Sequence, residues 1–84
     1  AQDRAWVQIE SFRTLREAED AARARSGYLP DVAGFRVASG WYAVVLGPYD
    51  RTAAEARLAT LLADNLIPPD SLISAGEVYR EPFW

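Results

Sequence analysis

The sequence predicts an α+β domain with elements in the order strand, helix, strand, strand, helix, strand, folded as a four-stranded antiparallel sheet with both helices on one face. Three observations predict it. Residues 39–49 combine a Ser-Gly turn, an alternating apolar strand and a Gly-Pro turn. Two Thr-x-x-Glu motifs, Thr14 to Glu17 and Thr52 to Glu55, have the form of a capping box that opens a helix. Each follows a short apolar strand, so the two halves of the chain share one plan at a repeat of about 37 residues. Right-handed crossovers then put both helices on the same side of the sheet, with the first and third strands at its centre.

At 84 residues the chain is one domain, burying about 60–65% of the surface its unfolded form exposes. That suits a small binding module better than an enzyme with a deep cleft. All nine basic residues are arginine, against twelve Asp and Glu, for a formal charge of −3. An acidic domain lacks the field that drives counterion release from a nucleic-acid backbone, so nucleic acid is not the expected partner. Cysteine, methionine and histidine are absent, which removes disulfides, a thiol nucleophile, an imidazole base and a zinc-type ligand set. No cofactor, metal or catalytic residue is expected. No apolar run reaches the roughly 20 residues that span a bilayer.

Taken in order, residues 5–10 alternate as the first strand, with Val7 and Ile9 facing the core and Trp6, Gln8 and Glu10 facing away. Gln8 is the odd residue, a neutral amide in mid-strand. The first helix runs from the Thr14 cap to about Arg25, with Leu15, Ala18, Ala21 and Ala22 inward, and ends at Gly27. Residues 32–38 read as the second strand, with Phe35 and Val37 toward the helices and Arg36 away. A turn at Ser39-Gly40 makes a hairpin with the third strand, residues 41–46. The second helix, roughly 52–65, carries Ala54, Leu58, Leu61 and Leu62 at helical spacing and stops before Pro68-Pro69. Residues 71–75 form the last strand. Residues 77–80 are expected to extend it along a sheet edge, and the aromatic tail Phe83-Trp84 to lie exposed without a role.

This arrangement covers one face of the sheet with helices and leaves the other open. Gln8, Trp41, Ala43, Val45 and Arg36 would lie on the open face. Trp41 is either one more buried strand residue or a flat ring available to stack on a ligand; an amide, an indole and a guanidinium on one uncovered face make a binding platform a real alternative to core.

The residues also resemble those of the SPOR (sporulation-related repeat) family. Trp6-Val7-Gln8-Ile9-Glu10-Ser11-Phe12 is similar to its first-strand motif, Gly40-Trp41-Tyr42-Ala43-Val44 to its central-strand motif, and Gly47-Pro48-Tyr49 precedes the second helix. The likeness covers about residues 5–79, leaving 1–4 and 80–84 as flanks. It implies a ferredoxin-like (ribonucleoprotein-like) fold and non-catalytic binding of bacterial peptidoglycan, in particular glycan strands stripped of stem peptides. It also implies a place in the periplasm or cell envelope, at the division septum, as one part of a longer protein. Gln8, Ser11 and Trp41 fall on the family's glycan-contacting positions. Trp41 would stack on a sugar ring, Gln8 and Ser11 would hydrogen-bond, and Arg36 would meet the carboxylate of a muramic acid that has lost its peptide. Two positions depart from the family pattern. Glu10 replaces the usual Gly, which would put a carboxylate near the site, and Ala43 replaces a common Arg. The alternative function is a protein-interaction or regulatory module on the same fold.

Overall fold

The computed structural model describes residues 4–84. Its elements are β1 (Arg4–Phe12), α1 (Leu15–Ser26), β2 (Val32–Val37), β3 (Tyr42–Asp50), α2 (Arg51–Ala63), β4 (Leu72–Ser74) and β5 (Tyr79–Pro82). The first six reproduce the expected β-α-β-β-α-β order, and the sheet is antiparallel in the order β4-β1-β3-β2-β5. The ferredoxin-like arrangement is therefore present, with a short fifth strand added at the β2 edge.

Local sequence explains where the elements begin and end. Thr14 caps α1 as a capping box should, its Oγ1 accepting from the Glu17 amide and donating to the Glu17 carboxylate at 2.8 Å. The cap of α2 falls earlier than expected. Asp50 accepts from the Ala53 amide at 2.7 Å, so the helix starts at Arg51 and Thr52 lies inside its first turn. Either residue type can cap, but Asp50 is already extended at the end of β3 and reaches the orphan amides first. At the other end Asn65 takes a left-handed conformation (φ 56°), while the amides of Asn65 and Leu66 donate back to the carbonyls of Leu62 and Leu61. That is a Schellman closure, with Asn in the place most helices give to Gly. The β2–β3 hairpin turns through three residues. Gly40 donates to the Val37 carbonyl and holds φ 95°, a conformation that strains any residue with a Cβ.

The main core lies between the sheet and the helices. Val7, Ile9, Val44 and Leu46 from the central strands pack against Ala18 and Ala22 of α1 and Ala54 and Leu61 of α2. Alanines on both helices let them approach the sheet closely. Leu15 is more exposed than the sequence suggests, since it stands at the first position of α1, beyond the end of the core.

The opposite face is not bare. Trp6, Ala43 and Val45 form a second buried cluster, with Ala33, Phe35, Val37 and Tyr79 packed around it. Two expectations are corrected here. Phe35 and Val37 face away from the helices, and Arg36, which is paired with Tyr42 across the hairpin, lies on the helix side of the sheet. Its guanidinium makes a two-point ion pair with Glu81 of β5. Alternation was correct along β2, but both faces are apolar, so alternation alone does not say which one meets the helices.

The covering comes from the chain's last segment. β4 pairs with β1 at one edge and β5 pairs with β2 at the other, so residues 75–78 cross the sheet. They cross over Trp6: a Cβ at Gly76 would stand 2.6 Å from the indole Nε1. Trp6 meets Phe35 and Tyr79 edge-on at centroid distances of 4.9 and 5.8 Å, and Phe35 and Tyr79 stack at 5.1 Å. Trp6 is left 9% exposed. The tail is anchored as well. The Phe83 amide donates to the Gly34 carbonyl, and its ring packs on the helix side against Tyr42.

Candidate functional site

One end of the second face remains accessible, and an irregularity in β1 builds it. Between Gln8 and Glu10 the pairing with β3 slips, so that Gln8 opposes Val45, Glu10 opposes Val44 and Ser11 opposes Ala43. Gln8 and Ser11 are three residues apart, and a regular strand would put them on opposite faces. The bulge returns Ser11 to the side of Ala43 and Val45, which is the side of Gln8.

The same slip turns Glu10 toward α1. Arg25 donates from Nε and Nη2 to its two carboxylate oxygens at 3.2 and 3.0 Å, and from Nη1 to the Tyr28 hydroxyl and the Leu66 carbonyl. The side chains of the pair are mostly buried. The carboxylate expected beside the site is thus neutralised by a helix arginine on the other side of the strand.

Trp41 lies just before β3. Its carbonyl accepts from the Val37 amide at 2.7 Å, which sets it opposite a residue of the second cluster. It is 39% exposed, and the Arg13 guanidinium lies 5.1 Å from its ring centroid. Ala43 is fully buried under the aromatic layer, so the position at which the family commonly carries Arg presents nothing to solvent.

Gln8 is half-buried, and its Oε1 accepts from the Tyr79 hydroxyl at 2.8 Å. With that oxygen engaged, the Nε2 hydrogens are the donors Gln8 has left for a ligand. Burial pushes the Tyr79 phenol above its ordinary value, and a hydrogen bond from Ser74 partly opposes this. β4 pairs only with Trp6, Val7 and Gln8, so β1 runs on past it with an unpaired outer edge. Along that edge lies a groove of about 360 Å³ lined by residues 9–12, Pro68 and Asp70. It adjoins a second of about 140 Å³ lined by residues 8–11, Asp70 and Leu72.

Three of the four predicted site residues, Gln8, Ser11 and Trp41, are therefore set on one side of the sheet; Arg36 is on the other. Arg13, Asp70 and Tyr79 were not anticipated. Arg13 was within reach of sequence reasoning only as a neighbour of Ser11, since it stands just past the end of β1. Tyr79 and Asp70 arrive from distant segments and carry no local signal.

An exposed indole, an amide and a hydroxyl on one side of the sheet suit adhesion to a polar, ring-containing ligand; among the described residues no group of His, Cys, Asp or Glu is placed to hold a metal ion, and no helix is long and apolar enough to cross a membrane. These are the features of a small sheet-based binding module. The SPOR domain family matches residues 1–69, and the chain belongs to that family. SPOR domains are non-catalytic binding modules, generally for peptidoglycan. The match ends before β4, so the crossing segment and β5 lie outside it. No curated protein and no solved structure matches the chain.

Proposed function

We propose that the domain binds the glycan of bacterial peptidoglycan, prefers strands that have lost their stem peptides, and so directs a larger envelope protein to the wall at the division septum. The observation that supports this most is the β1 bulge, which puts Gln8 and Ser11 on the side of the sheet where Trp41 is exposed. Sugar rings present C–H groups that lie well on an indole face, while their hydroxyl and N-acetyl groups need short hydrogen-bonding partners. The Gln8 amide and the Ser11 hydroxyl supply these on the same side of the sheet, opposite Val45 and Ala43. A stem peptide would project from every second sugar and obstruct its seating on this face.

One stacked Trp contributes on the order of 1–3 kcal/mol by burial, so a single domain binds weakly. A long glycan with repeated sites retains it by rebinding. The test is sedimentation of the domain with purified cell walls, before and after an amidase removes the stem peptides. Binding should rise on the stripped walls and be lost in Trp41→Ala. Equal retention on both preparations would refute the preference, and capture of a protein with no retention on either would favour an interaction module.

A further inference from the structure

The glycan reading assigns no partner to the ligand's negative charge, because the arginine expected to supply one is held by Glu81 on the helix side. Four of the arginines are committed to carboxylates: Arg23 to Asp20, Arg25 to Glu10, Arg36 to Glu81 and Arg57 to Asp31. Arg80 donates to backbone carbonyls. Arg13 stands apart. Among the described residues it has no ion pair and no hydrogen bond, and its guanidinium lies over the Trp41 ring at 5.1 Å. It is exposed, and it stands two residues beyond Ser11, just past the end of β1.

A guanidinium this close to an indole is attracted to the ring electrostatically. With no acceptor for its N–H groups among the described residues, Arg13 keeps the fork that binds a carboxylate at two points. The indole thus holds a cation at this end of the sheet without consuming its hydrogen-bonding capacity. We propose that Arg13 is the residue that reads charge on this face, receiving a ligand carboxylate in the guanidinium plane and so setting the preference for an acidic over a neutral glycan. This rests on the glycan reading above. The free lactyl carboxylate that remains on a muramic acid after its peptide is removed has the required chemistry.

The experiment titrates the intact domain with three ligands of equal length: stripped peptidoglycan glycan fragments, the same fragments with their carboxylates converted to amides, and chitin oligosaccharides. Wild type, Arg13→Gln and Arg13→Lys are compared. Wild type should bind the carboxylate form about tenfold more tightly than the amide form, the size of one charge-assisted hydrogen-bonded contact. Arg13→Gln should bind both forms equally, at the wild-type affinity for the amide form, which also shows that Trp41 is still in place. Arg13→Lys should fall between them. A wild type that binds all three ligands equally, or an Arg13→Gln variant that keeps the preference, overturns the assignment of Arg13 and leaves the glycan reading standing. A wild type that binds none of the three overturns both.

Discussion

The Tyr79 hydroxyl donates a 2.8 Å hydrogen bond to the side-chain carbonyl of Gln8, joining two residues 71 positions apart on strands that are not neighbours in the sheet. Tyr79 reaches it from the far edge, stacked on Phe35 and braced by Trp6. The last segment of the chain thus fixes the orientation of an amide in the candidate site. Tyr79→Phe keeps the ring and removes the hydroxyl, so the stack should survive while the amide is freed. One neutral hydrogen bond is worth about 1 kcal/mol, and glycan binding should weaken about fivefold. Gln8→Ala should weaken it further, and the double variant should be no worse than Gln8→Ala alone. Calorimetric titration of the four proteins measures the coupling; additive losses would show that Tyr79 does not act through Gln8.

The same phenol gives the fold a sensitivity to alkali. Burial raises its pKa above the ordinary 10.0, so the folded state holds this proton more tightly than the unfolded state does. The corresponding stability is fully present below pH 10.0 and is lost as pH rises through the raised folded value. Thermal melts between pH 8 and 11 should show wild type losing stability at the alkaline end. Tyr79→Phe should have a flatter profile there, and equal slopes would exclude this group as the cause.

Glu10 and Arg25 predict a separation of stability from binding. Their two-point pair ties the β1 bulge to the end of α1, and both side chains are mostly shielded from water. Removing one partner leaves the other charge half-buried and uncompensated. Glu10→Gln should destabilise the fold by about 1–2 kcal/mol, read from chemical denaturation. Glycan affinity at a temperature where both proteins are folded should be unchanged, since the carboxylate is held by Arg25 and lies off the side of the sheet that carries Gln8, Ser11 and Trp41.

What was legible in the sequence follows from what is local. The repeat, the Thr14 cap, the Gly40 turn and the apolar stripe of α2 are read from neighbouring residues, and they suffice for the ferredoxin-like order. The face of β2 was not legible. Phe35 and Val37 look like helix-side core until residues 75–79 are known to roof the other face, and that covering lies outside the internal repeat. The bulge at Glu10 left only an indirect trace: Gln8 and Ser11 cannot share a face of a regular strand. Arg36 was misplaced for the same reason as Phe35, and with it went the expected cation of the site.

The tail carries the last prediction. Phe83 sits against Gly34, where a Cβ would come within 2.3 Å of the ring, so the ring occupies the space a side chain would need. The Phe83 amide donates to the Gly34 carbonyl, and the Gly34 amide donates to the carbonyl of Trp84. Gly34→Ala must therefore displace the ring, and rigid β2 backbone cannot shift enough to keep it. Phe83→Ala removes the ring and leaves the notch empty. Each change should cost about 2 kcal/mol, below the range for truncating a fully buried aromatic because Phe83 is only half-buried. The double variant should cost scarcely more than either alone, since an alanine at position 34 has room once the ring is gone. Denaturant unfolding of the three variants reads this directly. Fully additive losses would mean that the ring and the glycine stabilise the fold independently, and that the tail is not seated in the notch.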